Sequence, residues 1–242
     1  MPRGQPDFGI YQPLSQVAGL SDVGEAAVRL GSINIYDRKG WTIWQDDFEG
    51  AKVNWDATNG FGGLLPIYSS SYSWQGSQSL RLKTEAGAAS YSRIFRYFSL
   101  VNSSKIGAEA LIQCDMSNTS FLLIELSILD GVRQYRASFR YYEDDALIKI
   151  YTGGVWVTVV TEVTMYSSSY FFMPIKVVVE ITNHLYDRLR VGEQEIDLSA
   201  YALENVGVTT KKVIAISLNQ RGQAVGDSIT YVDNFIFTQN EP

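Results

Sequence analysis

The residues best suited to chemistry in this 242-residue sequence are carboxylates grouped in three short stretches. They are Asp46, Asp47 and Glu49 in "WQDDFEG", residues 143–145 in "YYEDDA", and residues 193–197 in "EQEIDLS". Paired carboxylates can cleave a glycosidic bond when a defined distance separates them, and clustered carboxylate oxygens can hold calcium. One histidine, His184, and one cysteine, Cys114, are too few for a histidine-dependent triad or a zinc site.

The stretch "EQEIDLS" comes nearest to a catalytic pattern. Sandwich glucanases carry Glu-x-Asp-x-x-Glu on one strand, so that alternate side chains face the cleft. Glu195 and Asp197 fit the first two positions, but no third glutamate follows near Tyr201. The run also has the pattern of a hairpin that turns at Gly192–Glu193, and residues 143–145 have that of a turn. We therefore expect no catalytic residue and a non-enzymatic protein.

The elements that must position these residues are strands. From Ser32 onward the hydrophobic pattern has the period of two that β-strands require. About a dozen candidate strands follow at short spacing, separated by turn signals such as "LDG" and "TGG". This predicts an all-β fold, an antiparallel two-sheet β-sandwich with jelly-roll topology. Residues 56–79 are predicted to be turn-rich, and "DLSAYALENVG" to form a short helix.

Residues 1–31 precede this pattern and are predicted to form an N-terminal arm, with residues 32–242 forming the sandwich domain. Asp22 and Gly31 are suited to begin and end one short helix in the arm. Such a helix is marginal alone in water, so we expect its apolar face to dock on the domain or on another subunit. The assembly contacts are predicted at Phe8, Tyr11, Val23 and Leu30.

Charge and hydropathy exclude several classes of partner. The net charge of −6 disfavours nucleic acid, which is bound by clustered Lys and Arg. The nearest basic cluster is "SRIFRYF", whose two arginines are predicted to point outward from a strand. No window approaches the roughly 18 apolar residues that a membrane span needs, and the first residues lack the apolar segment of a secretory signal. We expect a protein made in the cytoplasm that binds neither nucleic acid nor membrane.

A family resemblance rests on four motifs: "DDFEG" with the nearby Trp55, a Gly/Ser stretch, "SLRLK", and "ITYVDNFIF". Together they are similar to carbohydrate-binding-module jelly rolls and concanavalin-like sandwich domains. The resemblance implies that the opening strand pairs with the closing strand, and that their carboxylates hold one structural calcium ion. The implied ligands are Asp47 or Glu49, which we expect to share one side of a strand, together with Asp233. Asp233 alternates in register with Tyr231, Phe235 and Phe237, a row that is predicted to face the core. A carboxylate in that row must be paired or bound to a cation, because an isolated buried charge is very costly. The alternative is a carboxylate that accepts hydrogen bonds from a turn backbone or pairs with an arginine.

Sugar recognition in those families uses exposed aromatic side chains. The corresponding candidates for glycan or partner contact are Tyr68, Tyr72, Trp74, Trp156, Tyr166 and Tyr170. Two copies of "YSSSY" contribute four of them, and Tyr/Ser loops suit adaptable binding surfaces. The alternative is that these tyrosines pack back on the sheet.

Three functions are consistent with these patterns. The first is a virion structural protein, a capsid-decorating or tail-associated subunit, because the opening residues resemble tailed-phage virion proteins and the arm suits assembly. Its partners would be other virion subunits or copies of itself, and a surface glycan. The second is a carbohydrate-binding module, extracellular by a route that the sequence does not reveal. The third is a sandwich glycoside hydrolase or lyase, which the incomplete carboxylate pattern disfavours.

Overall fold

The computed structural model describes residues 39–74, 76–87, 89–115, 120–142, 145–163, 171–222 and 226–242. The predicted arm, with Phe8, Tyr11, Val23 and Leu30, lies outside the described residues, as do Tyr166 and Tyr170. The described residues form sixteen strands and no helix. None of their segments is a helix long and apolar enough to cross a membrane.

The strands make two antiparallel sheets, which confirms the predicted all-β sandwich. Sheet I has the order β13-β12-β11-β6-β16-β4-β3, and β1 also pairs with β16. Its strands are β1 Trp41–Asp46, β3 Ile67–Ser69, β4 Ser79–Thr84, β6 Lys105–Asp115, β11 Met173–Glu180, β12 Leu185–Val191, β13 Gln194–Asp197 and β16 Ser228–Gln239.

Sheet II has the order β10-β9-β8-β7-β15-β5-β2, and β14 also pairs with β8. Its strands are β2 Asp56–Gly60, β5 Tyr91–Ser99, β7 Phe121–Asp130, β8 Arg133–Tyr142, β9 Leu147–Thr152, β10 Val155–Val160, β14 Glu204–Val208 and β15 Lys212–Arg221.

The core lies between the two sheets, and strand alternation fills it. In β7 the even-numbered residues Leu122, Ile124, Leu126 and Ile128 are buried in the core cluster. The odd-numbered residues of β7 therefore face the outside of the sandwich, because successive side chains of a strand point to opposite faces. This alternation gives Sheet II an outer face whose composition is not set by core packing.

Strand β16 joins the beginning of the fold to its end. Asp46 of β1 lies opposite Phe235 of β16, which confirms the predicted pairing of opening and closing strands. A bulge follows Asp233, where Asn234 has a φ of 48°. The bulge reverses the alternation, so Phe235 faces the core whereas Tyr231 packs in a separate cluster on the outer face. The expectation that Asp233 shares one row with both aromatic residues is therefore wrong.

Two further local predictions need correction. Residues 56–79, predicted to be turn-rich, also include the short strands β2 and β3. The predicted helix in "DLSAYALENVG" is instead a turn followed by β14, which pairs with β8 through Glu204 and Arg136. Leu198 and Leu203 are buried in the core cluster, and this packing outweighs the helical preference of the segment. The predicted hairpin at Gly192–Glu193 is confirmed by β12 and β13.

Candidate functional site

The first carboxylate of "WQDDFEG" holds a turn. Asp46 is buried, and its Oδ1 accepts a hydrogen bond from the Phe48 N–H at 2.9 Å while its Oδ2 accepts one from Trp55 Nε1 at 3.1 Å. Burial raises the pKa of Asp46 although both hydrogen bonds oppose the shift. Phe48 adopts a φ of 57° and is fully buried. Asp46 thus ends β1 and turns the following residues into the core.

Asp47 and Glu49 were predicted to share one side of a strand, but both lie in this turn. Asp47 Oδ1 accepts the Glu49 N–H at 3.1 Å. Glu49 accepts the Ser77 N–H and the Gln78 N–H at 2.9 Å each, and the Ser77 hydroxyl at 2.7 Å. Burial acts to raise the pKa of Glu49, but the hydrogen bonds from Ser77 and Gln78 outweigh it and lower that pKa.

Asp233 is fully buried and holds the same loop from the other side. Its Oδ2 accepts the Trp74 N–H at 2.8 Å, and its Oδ1 accepts the Asn234 N–H at 2.8 Å. Backbone N–H groups therefore donate to both Glu49 and Asp233, which is consistent with the alternative of a carboxylate that accepts hydrogen bonds from a turn backbone. The described residues contain no group of three or more His, Cys, Asp or Glu side chains suited to a metal ion. Calcium at Asp47, Glu49 and Asp233 stays a prediction.

The predicted contact aromatics near this loop are mostly engaged in packing. Tyr68 is half-buried, with its ring edge-on to Phe48 at a centroid distance of 6.1 Å. Tyr72 packs edge-on to Tyr231 at 4.9 Å. Trp74 is 40% exposed and remains available for contact.

Trp156 lies elsewhere, on the outer face of Sheet II. Its ring lies 3.7 Å from the Arg140 guanidinium carbon and 5.1 Å from the Tyr151 ring. Trp156 and Trp74 are carried by different sheets, so the structure does not gather the predicted contact residues into one surface.

Arg93, Arg140 and Arg221 lie on this same outer face. Arg140, Leu123, Asn219 and Arg93 stand directly opposite one another on β8, β7, β15 and β5. Arg221 lies two residues beyond Asn219 on β15, between Phe121 and Tyr91. We call the outer face of Sheet II that carries Arg93, Arg140 and Arg221 the arginine face.

Aromatic rings accompany the three arginines. The guanidinium carbons lie over ring centroids at cation–π distances. The pairs are Arg140 with Phe121 at 4.3 Å, Arg221 with Tyr91 at 5.0 Å, and Arg93 with Phe95 at 5.4 Å. Lys149 lies 5.1 Å from the Tyr142 ring on the same face.

The floor of the arginine face is polar and buried. Ser217 and Asn219 are 3% and 1% exposed, although both point away from the core. Asn219, with its amide oriented to satisfy both groups, accepts from Arg221 Nε at 3.1 Å. Arg93 and Arg140 each keep a buried Nε that no described acceptor satisfies.

Glu125 is the carboxylate in this floor. Ser138 and Ser217 flank it and donate to its two oxygens at 3.4 and 3.3 Å. One guanidinium nitrogen of Arg136 lies 3.6 Å from Glu125, and another lies 2.7 Å from Glu204. Arg136 thus joins the two carboxylates.

The electrostatics of the face are dominated by cations. Burial lowers the pKa of Arg221, and the nearby Arg93 and Arg140 lower it further, whereas Glu125 and Tyr91 act in the opposite direction. Like charges have therefore been brought together on a chain whose net charge is −6.

Sequence reasoning missed this face, although "SRIFRYF" contained one signal of it. Its arginines are three residues apart, so a period of two places them on opposite faces. Arg93 points outward as predicted, whereas Arg96 lies 4.4 Å from the Trp44 ring and donates to the Asn54 carbonyl. The other arginines are distant in sequence, and only strand pairing brings them beside Arg93.

A pocket lies beside the turn that follows β1. It has a volume of about 480 Å³ and is lined by Trp44, Gln45, Asp46, Asp47, Asn54 and Arg96. Asp46 and Arg96, two of its lining residues, already bond to neighbouring protein groups.

Comparison with known proteins supports the fold through structure alone. No family model and no curated protein match the sequence. The laminarinase catalytic domain from Thermotoga maritima is similar over 84% of this chain and 100% of that one, with a TM-score of 0.53 and 11% identity. A galectin-like protein of unknown function from Bacillus subtilis is similar over 83% and 97%, with a TM-score of 0.54 and 10% identity. The fold is a concanavalin-like jelly roll.

A sialidase is also similar over 83% of this chain, with a TM-score of 0.54 and 9% identity, but the match spans only 19% of the sialidase. Identities this low show the fold and not the activity. The prediction of a non-enzymatic protein is nevertheless contradicted, because the structures that share this sandwich are mainly glucanases, laminarinases and a glycanase. The resemblance to tailed-phage virion proteins receives no support from these structures.

Proposed function

We propose that this protein binds a glycan on the arginine face. The observation that carries the proposal is the combination of aromatic rings with hydrogen-bonding groups on a sheet face turned away from the core. Trp156, Tyr142 and Tyr91 are half-buried rings there, and Arg93 and Arg140 provide donors beside them. Binding sites for small molecules and sugars combine apolar or aromatic lining with a few placed polar groups.

Separate replacement of the two tryptophans that were predicted to contact glycan tests this proposal. Trp156→Ala removes a ring from the arginine face, whereas Trp74→Ala removes a partly exposed ring from the loop held by Glu49 and Asp233. We expect Trp156→Ala to weaken binding to an immobilised polysaccharide panel about 10-fold or more, the scale of a lost anchor residue. Trp74→Ala should leave affinity within about 2-fold. The reverse order would move the site to the Tyr/Ser loop.

Cleavage of the bound glycan is a second candidate function, and one observation favours it. Glu125 and Glu204 contact the same guanidinium, which keeps their carboxyl groups within the span of up to roughly 9.5 Å that glycosidase pairs occupy. Release of reducing ends from the panel measures this activity directly. Hydrolysis that Glu125→Gln and Glu204→Gln each abolish would support the pair. Hydrolysis that survives both changes would exclude it.

The role as a virion subunit, with a homo-oligomer formed through residues 1–31, remains a further proposal. The arm lies outside the described residues, so its support is the sequence pattern alone. The mass in solution of the full chain and of a chain lacking residues 1–31 tests it. An assembly that the truncation converts into a folded monomer would support the role. Two monomers of equal stability would contradict it.

A further inference from the structure

We infer that the glycan bound on the arginine face is anionic, and that Arg93, Arg140 and Arg221 hold its carboxylate or sulfate groups. This inference rests on the proposed glycan binding and specifies the class of glycan. The three guanidinium groups are the feature that a neutral sugar does not explain, because neutral hydroxyls are recognised equally well by uncharged amides and hydroxyls.

The first argument is the absence of carboxylate partners. Among the described residues, none of Arg93, Arg140 and Arg221 forms a salt bridge. Elsewhere in the described part of the chain, Arg136 pairs with Glu204 at 2.7 Å and Arg188 with Glu241 at 2.6 Å, although the half-buried Arg81 and Arg96 also lack a described salt bridge. What distinguishes the arginine face is that three such arginines share one surface. The chain has 26 acidic and 20 basic residues, so a shortage of acids is not the cause.

The second argument is the chemistry of the guanidinium group. It presents donors in a planar fork that matches a carboxylate or sulfate, and it remains charged at every pH relevant to a protein. Clustering three such groups is unfavourable in the free protein, because like charges repel. Binding an anion relieves that repulsion.

The third argument is spacing. Arg140 and Arg93 are separated by three strand-to-strand steps through Leu123 and Asn219, which is about 14 Å at the usual sheet spacing. Arg221 lies on β15, within this interval and two residues along the strand. This spread suits charges repeated along an extended polymer better than a single small anion.

Matched polymers test the inference. Polygalacturonate and its fully methyl-esterified form share a backbone and differ in carboxylate charge, while carrageenan and agarose provide a comparable pair for sulfate. Laminarin is a neutral reference. We expect the charged member of at least one pair to bind about 10-fold tighter or more, as charge-assisted hydrogen bonds allow, and its affinity to fall as salt rises.

Replacing each of the three arginines tests whether they cause the preference for the charged polymer. Arg93→Gln, Arg140→Gln and Arg221→Gln should each weaken binding of the charged polymer about 10-fold. Binding of laminarin should weaken by about 2-fold or less, because Gln keeps an uncharged donor at each position. Arg96→Gln is the matched control, since Arg96 lies on the same strand as Arg93 but points to the opposite face. It should leave both affinities unchanged, and thermal unfolding of every variant confirms that it folds.

The outcomes separate the inference from the function it rests on. A preference confined to the carboxylate pair or to the sulfate pair supports the inference and identifies the anion. Equal binding of charged and neutral polymers overturns the inference but leaves glycan binding intact. Arginine variants that lose affinity equally for the charged and the neutral polymer also overturn the inference and leave glycan binding intact. Binding of no polymer overturns glycan binding itself.

Discussion

Glu241 is the residue whose replacement tests the packing of Sheet I most directly. Its side chain is fully buried on the outer face of that sheet, where it lies 2.8 Å from Lys176 Nζ and 2.6 Å from Arg188. Lys176 is itself only 1% exposed. Gly40 and Gly107 leave the space that Glu241 occupies, since a Cβ at either position would lie within 3 Å of its carboxylate. One carboxylate therefore neutralises two desolvated cations.

Glu241→Gln keeps the shape of this side chain and removes its charge. Lys176 then retains Glu109 at 3.9 Å, and Arg188 retains Asp187 at 3.0 Å, so the cations are not wholly without partners. Breaking a buried pair costs about 3–5 kcal/mol, and these remaining contacts place the expected loss near the low end, about 3 kcal/mol. For a chain of this size the melting temperature should fall by about 6–12 °C.

Urea unfolding and thermal melting measure this loss. Adding Lys176→Met to Glu241→Gln should cost at least about 1 kcal/mol less than the sum of the two single changes, because each single change already removes the Lys176–Glu241 interaction and the sum counts its loss twice. The pair of the half-buried Lys83 with the exposed Asp227, at 2.7 Å, is the control, and breaking it should cost no more than about 1 kcal/mol. A Glu241→Gln protein within about 0.5 kcal/mol of wild type would refute the reasoning.

Three further predictions concern the turn and the loop it holds. Gly76→Ala should destabilise the protein by about 1–3 kcal/mol, since its φ is +76° and a Cβ would lie 2.3 Å from Glu49 Oε1. Gly153 has a φ of +57° but open space around it, so Gly153→Ala should cost measurably less when both variants are unfolded in urea. Because the pKa of Glu49 is lowered in the folded state, its contribution is present above its unfolded pKa and lost as pH falls through the folded value, so the stability advantage of wild type over Glu49→Gln should shrink in acid. The pKa of Asp46 is raised, so its contribution to the free energy of unfolding is present below its unfolded pKa and lost as pH rises through the folded value. Wild type should therefore lose stability relative to Asp46→Asn as pH rises. A stability difference between the two proteins that stays constant between pH 3 and 8, roughly the range of ordinary carboxyl titration, would contradict the burial of Asp46.

Local patterns were sufficient to predict most strands. β4 and β10 lie in the region where a period of two predicted strands, and the hairpin of β12 and β13 turns where Gly192 allows a positive φ. Each of these features depends on residues close together in sequence, such as alternating side chains or a glycine turn. The short β2, β3 and β14 escaped prediction because their pairing with distant strands, and not their own composition, makes them strands.

The carboxylates show the same division at the level of single side chains. Alternation predicted that Asp233 is buried and must therefore be paired or bound to a cation, and in the structure it accepts the N–H of Trp74, 159 residues away in sequence. The bulge at Asn234 was not visible in the alternation, so the face on which Asp233 lies was predicted wrongly. A single inserted residue reverses every later side chain of a strand.

The sequence by itself determined the all-β class and the aromatic and acidic composition, and the family resemblance implied the pairing of the opening strand with the closing strand. Only the tertiary structure decided the arginine face. Arg93, Arg140 and Arg221 lie on three different strands, and antiparallel pairing through β7 and β15 brings them onto one surface. The physical reason is that alternation sets which face of its own strand a side chain occupies, whereas strand order and register, which depend on packing across the whole sandwich, set its neighbours.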